Sequence, residues 1–361
     1  MSFKLPAYRA PAFNKGIFRR SQNVRIGVVC QAGVAPHNFH ATTIFPEYFK
    51  IDGRWSLLSE SRMDCVVVVR KNNRVEATEF RRLQPGDNVI IGRSEDSSEG
   101  IYVHTTGFID KNSKTDLFAF RTGRSRETSY SRDYDRLYEL LCHEKKKGHV
   151  IWVLGPAVVF DSDSRNAMVS LVEKGFVHAV LAGNALAAHD FEGALFKTAL
   201  GQDIYTQECR PDGHYHHLEA INRARQYPSL EEFIRGEKVT NGVIHACYKK
   251  NIPFVLAGSI RDDGPLPGVV PDVYVAQDRM RMHTKKATTV LGLATQLHSI
   301  ATGNMTPAYQ VIKGVVRPVY IYSVDVSEFA VNKLRDRGTL EVTSIVTNIQ
   351  DFLVNLARNL E

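Results

Sequence analysis

Beyond Asp135 the pattern of the chain changes: short apolar, β-branched runs begin to alternate with stretches of helical periodicity. That alternation restricts the fold more than any other feature, because parallel strands joined by crossover helices are the packing that buries both kinds of element on one core. Segments 150–154, 179–181, 254–257 and 319–324 read as strands, the last being the expected final strand. Segments 136–147 (Leu137, Leu140 and Leu141 on one face), 164–174 (closed by Gly175), 230–235 and 242–250 read as helices. Segment 269–284 reads as strand then helix, and 288–301 as an apolar strand–helix region. Segments 327–336 and 349–360 are amphipathic, the second placing Leu353, Leu356 and Leu360 together. The prediction is a doubly wound α/β domain over 136–361. Ahead of it, β-branched runs at 24–30, 63–70, 88–91 and 101–108 are broken by Asp52-Gly53 and Pro85-Gly86-Asp87, which predicts a small β-rich domain over 23–115. The polar segment 116–135 reads as a linker. Residues 1–22, basic and aromatic without periodicity, read as an arm that packs on something or stays mobile.

Composition narrows the partners. No apolar run is long enough to span a bilayer. The formal charge of +7 is dispersed, with Lys145, Lys146 and Lys147 the single tight run, so no nucleic-acid partner is expected. The basic N-terminus lacks a following apolar segment, so it does not read as a secretory signal. Five cysteines at irregular spacing, with no C-x-x-C, exclude a disulfide scaffold or zinc ribbon and suit reduced thiols in the cytoplasm. Cys30, Cys65 and Cys247 sit among apolar residues and are expected in the core.

In an open parallel sheet, ligands bind past the carboxyl ends of the strands. Four such ends carry small or acidic residues: Gly155-Pro156-Ala157, Ala182-Gly183-Asn184-Ala185, the stretch from Gly258 to Gly264, and Asp325. Small residues let a ligand approach the backbone, helix N-termini hold phosphate, and a strand-end carboxylate suits a ribose diol, so a dinucleotide fits. There is no G-x-G-x-x-G, and any one of these glycines alone could be a cap or turn. The stretch Gly258-Ser259-Ile260-Arg261-Asp262-Asp263-Gly264 places a cation and two carboxylates between glycines, held by Pro265 and Pro267. Cys209, His214, His216 and His217 offer thiolate and imidazole, but at a spacing that matches no closed metal motif; on a loop they suit contact with substrate or cofactor, and no metal is expected. His189-Asp190 reads either as an acid/base pair or as a helix start, and His298 as a core histidine.

The segments Leu181-Ala182-Gly183-Asn184-Ala185-Leu186-Ala187, Gly213-His214-Tyr215-His216-His217-Leu218, the thirteen residues from Val255 to Pro267, His283-Thr284-Lys285-Lys286 and Leu297-His298-Ser299-Ile300-Ala301 closely resemble the LOR/SDH-type family. That family includes archaeal-type ornithine cyclodeaminases and the C-terminal half of the cyanobacterial arginine dihydrolase fusion, and the resemblance runs from about 24 to 355. It implies an NAD-binding domain like that of deoxyhypusine synthase. It also implies bound NAD and conversion of L-ornithine, or a related diamino acid, to L-proline and ammonia. In the implied reaction NAD takes hydride from the α-carbon, the δ-amine attacks the resulting imine, ammonia leaves, and the same NADH reduces the cyclic imine. Combined with the strand-end loops, the expected cofactor contacts are Gly155, Pro156, Ala182, Gly183, Asn184, Ala185, Gly258, Ser259, Ile260, Asn304 and Asp325. Arg261, His214, His216 and His217 are expected to bind substrate, and Asp262, Asp263 and Lys285 to carry catalysis. A homo-oligomer is expected. The alternatives are an amino-acid or opine dehydrogenase that releases NADH, and a noncatalytic NAD-binding protein.

Overall fold

The computed structural model describes residues 3–109, 130–260, 265–327 and 339–360. The predicted catalytic residues Asp262 and Asp263, with Arg261, lie outside the described residues, as do most of the predicted linker and helix 327–336. In the first region, β1 (Arg25–Val28), β4 (Val66–Val69), β5 (Val75–Thr78) and β6 (Asn88–Ile91) form an antiparallel sheet in the order β1-β6-β4-β5. A second sheet, β3-β2-β7, comprises β2 (Glu47–Ile51), β3 (Arg54–Leu57) and β7 (Ile101–Val103). The unbroken valines of β4 reflect burial on both faces: Val67 packs with Phe49, Ile90 and Ile101, while Val66 and Val68 pack with Val29, Leu83 and Val89. Alternation did not mark β2 and β3, but their turn is Asp52-Gly53, with φ of 48° and 76°, the positive pair that a type I′ hairpin requires. The arm packs on this region, with Phe13 stacked on Trp55 and Phe18 buried against Trp55 and Tyr102.

The second region is a six-stranded parallel sheet, β10-β9-β8-β11-β14-β15. Its strands are β8 (Val150–Leu154), β9 (Ala179–Gly183), β10 (Phe254–Ala257), β11 (Thr289–Leu293), β14 (Tyr320–Asp325) and β15 (Glu341–Val346). Side-chain alternation along β8 sends Trp152 and Leu154 into one apolar layer and Ile151 and Val153 into the other, the pattern of a strand sandwiched between helices. The first layer holds α1 (Tyr130–Lys147), α2 (Ser162–Glu173) and α9 (Ile349–Asn359); the second holds Met280 of α7 (Val273–Thr284) and Met305 of α8 (Gln296–Met305). The remaining helices are α3 (Asn184–Phe196), α4 (Gly213–Ala224), α5 (Leu230–Gly236) and α6 (Val243–Lys249).

Three expectations need correction. The strand expected to be last is followed in the sheet by β15, whose Glu341, Thr343 and Ser344 give an edge strand too polar to stand out. Segment 213–224, expected as a loop around its histidines, is helix α4, with Ala220, Ile221 and Ala224 as its buried side. Cys30 is exposed at the end of the first strand run, whereas Cys65 and Cys247 are buried as expected. Burial pushes the Cys247 thiol up to about 12, so it is an inert core group. Between α8 and β14, the hairpin of β12 (Tyr309–Ile312) and β13 (Val315–Pro318) pairs with the short strand Glu60–Ser61 of the first region. No helix among the described residues is long and apolar enough to cross a membrane.

Candidate active site

The strand order reverses between β8 and β11, and a cleft of about 740 Å³ opens at the carboxyl ends there. Gly155 and Pro156 line it from β8, Gly183, Asn184 and Ala185 from β9 and the start of α3, Ser259 from the end of β10, and Thr295 and His298 from β11 and α8. Gly155 is needed there for space, since a Cβ would overlap the Ala294 carbonyl; at Gly183 the fit is tight, a Cβ lying 3.1 Å from the side-chain atom His298 Cε1. Helices α3 and α8 both start at the cleft, after Gly183 and Thr295, with no side chain capping their first turns. Two helix N-termini with available amides, beside glycines, suit a pyrophosphate, so the residues present fit a dinucleotide.

A hydrogen-bonded carboxylate–imidazole pair projects from α3. His189 Nδ1 lies 2.9 Å from Glu192 Oε2, one helical turn along, and both side chains are buried. Glu192 also accepts from Thr198 Oγ1 at 3.0 Å, Leu200 N at 3.1 Å and Gly201 N at 3.0 Å. Burial opposes its ionisation, but the hydrogen bonds from His189, Gly201 and Thr198 outweigh it and hold the carboxyl below the usual glutamate range. His217 stacks on His189 with ring centroids 4.4 Å apart, and burial lowers its pKa, with His189 adding to the effect. His217 Nδ1 is buried, has no hydrogen-bond partner, and lies 3.8 Å from Glu192. These three side chains converge closely enough to hold a cation. Glu192 already accepts from four donors, however, so the cluster reads as a fixed proton-transfer unit. Asp190, the neighbour of His189, is turned into the protein, where it pairs with buried Arg165 at 2.7 Å and accepts from Ile244 N at 2.8 Å.

Of the expected substrate residues, His217 lines the cleft, His216 bonds Thr198 and stacks on Phe196, and His214 is exposed against Tyr215. His298, expected in the core, lines the cleft instead, because α8 begins at the strand ends. Ala182 is buried within its strand, Ile260 is exposed, and Gly258 N bonds Val270 O at 2.8 Å. Asn184 Oδ1 accepts from Leu266 N at 3.0 Å, so both flanks of the 261–264 segment are tied beside the cleft. Asp325 lines an adjoining cavity of about 390 Å³ with Ala157, Phe160 and Ala294. Lys285 and Asn304 do not join the cleft: Lys285 lines a separate charged cavity, and the Asn304 carbonyl accepts from Arg62 at 3.0 Å. Residue reading did not select Glu192 or Arg225. Arg225 is the one lysine or arginine lining the cleft among the described residues, and the four-residue spacing of His217 and Ile221 on α4 and Arg225 at its C-cap was the available signal.

Residues 137–356 match the family described as arginine dihydrolase ArgZ-like, C-terminal, Rossmann fold, and residues 46–130 match its first region. An ornithine cyclodeaminase of Methanopyrus kandleri is 36% identical over 343 residues, covering 94% of this chain and 79% of that protein. The crystal structure of a conserved LOR/SDH protein from Methanococcus maripaludis superposes with a TM-score of 0.84 at 34% identity, over 94% of this chain and 98% of that one. The ternary complex of AgrE with ornithine and NAD+ gives a TM-score of 0.57 at 31% identity, over 94% of this chain and 46% of that one. A Rossmann sheet preceded by a small β-rich region, joined to relatedness over nearly the whole chain, makes it a member of the family of the archaeal ornithine cyclodeaminases and the C-terminal region of ArgZ.

Proposed function

We propose that this chain is an ornithine cyclodeaminase that holds NAD across the order-reversal cleft and converts L-ornithine to L-proline and ammonia with no net oxidation. The observation that carries the reading is the His189–Glu192 pair, whose imidazole lines the cleft at which two uncapped helix N-termini begin while the carboxylate behind it is buried. NAD, when bound, supplies a hydride acceptor for the substrate α-carbon and a donor for the cyclic imine. Glu192 fixes the proton on His189 Nδ1, which leaves Nε2 as the base that takes a proton from the substrate α-ammonium. His217, kept neutral by burial, stacks on that ring and offers a second nitrogen for the ammonia that departs. Arg225 is the counter-charge for the substrate carboxylate or a cofactor phosphate. We keep Arg261, Asp262 and Asp263 as the groups for the substrate's charged ends, supported by the anchoring of Ser259 and Leu266 beside the cleft.

Apolar Val273, Tyr274, Val275 and Met282, exposed on α7, support assembly into a homo-oligomer, and five free cysteines support a cytoplasmic location. The test is incubation of the purified protein with α-deuterated ornithine without added cofactor. Deuterated proline without accumulating NADH is the expected result. Stoichiometric NADH release would establish a dehydrogenase, and absence of any product with NAD still bound would establish a noncatalytic role.

A further inference from the structure

A strongly charged cavity lies away from the cofactor cleft, about 390 Å³ in volume, between the first region and α7. Six cationic side chains line it against four carboxylates. Arg62 and Arg82 of the first region and Arg281 of α7 all reach Glu79, Arg82 Nε at 2.7 Å from Glu79 Oε2. Arg81 and Arg82 also share Asp278, Arg82 Nη2 at 2.5 Å, and Lys285 lies 3.7 Å from Glu60. Arg281 is buried, its side chain only 5% exposed, and its Nε has no hydrogen-bond partner. Burial pulls its guanidinium down to about 10, and the neighbouring Arg62 adds to the effect. Arg70 is matched by Glu76 at 3.0 Å and, outside the lining, by Asp87 at 2.6 Å, but the other five cations face only Glu60, Glu79 and Asp278 within the lining, and like charges packed this way leave a surplus that an anion would satisfy.

We propose that this cavity is a second ligand site, for a compact dianion, carboxylate or phosphate, that clamps the first region onto α7. Guanidinium forks from both walls match planar carboxylate and tetrahedral phosphate oxygens. The volume admits a molecule of that size and is far too small for a dinucleotide. The site is independent of the reaction assigned to the cleft, since none of its lining residues lines that cleft.

The test is titration calorimetry, with parallel melting curves, of the full chain against inorganic phosphate and against succinate, with sodium chloride at matched ionic strength as control. Saturable heat and a rising Tm with either dianion, absent with chloride, is the expected result, and the tighter of the two identifies the class. Arg81→Gln with Arg82→Gln should weaken binding by at least about tenfold, the scale of one charged hydrogen bond. Asp278→Asn, which frees the same two arginines from a competing carboxylate, should tighten it. Opposite signs from neighbouring surface residues cannot come from misfolding. No saturable binding, a chloride response equal to the dianions', or identical affinity in both variants would overturn the proposal.

Discussion

Gly155 packs against the main chain of Ala294, so that a Cβ on Gly155 would occupy the place of the Ala294 carbonyl oxygen. The ends of β8 and β11 are thereby held too close for a side chain at position 155, at the mouth of the cleft. Gly155→Ala should force them apart. Less NAD should be released on denaturing the purified variant than from the parent, together with a lower Tm. Unchanged recovery of NAD would show that the cofactor does not cross at this point.

His189→Asn should lower kcat by about 10²-fold or more, the usual contribution of a general base, while NAD stays bound. Glu192→Gln should lower kcat and Tm together, because that carboxylate also holds the amides of Leu200 and Gly201. Full turnover in His189→Asn would remove the histidine from the chemistry.

Asp325 should contribute to NAD affinity through a ribose hydroxyl pair in the cavity beside Ala294. Asp325→Ala is expected to weaken NAD by about 1.5–3 kcal/mol, the range for hydrogen bonds to a charged group. Equal calorimetric affinity in variant and parent would place the ribose elsewhere.

Stability should fall with acidity through His149. Its ring lies against His178 and His283, and burial, with those two neighbours adding to it, pulls its pKa down to about 4. The unfolded chain takes up this proton near pH 6.5 and the folded chain only near pH 4. The contribution is therefore whole above about pH 6.5 and lost progressively as pH falls toward about 4. Urea midpoints measured across that range should decline, and less steeply in His149→Gln. Parallel slopes in the two proteins would exclude His149 as the source.

The strand ends were legible because β-branched runs mark strands and the residues after them are small: Gly155, Gly183 and Ser259 do line one cleft. The His189–Glu192 pair was not, for a physical reason. Helix α3 is buried on nearly every side from Leu186 to Gly193, so no polar face betrays a helix there, and the i,i+3 relation is invisible until the helix is known. Likewise His217 and Arg225 share a face only once 213–224 is helical. Lys285 misled in the opposite way: its basic chemistry suited the reaction, but it lies just past the last turn of α7, beside Glu60 and away from the strand ends.

The pairing of Glu60–Ser61 with β12 has a consequence for inheritance. Tyr309 is fully buried, and its hydroxyl donates to the Leu58 carbonyl at 2.8 Å across the seam. Cut away from its partner, either half would present an unpaired backbone edge, and the second would also expose the ring of Tyr309 to water. Shuffling of genes can therefore move this pair to a new context, or fuse further modules outside it, but it cannot trade one half for a foreign one without re-evolving the seam. The two regions form one cassette, held at this join.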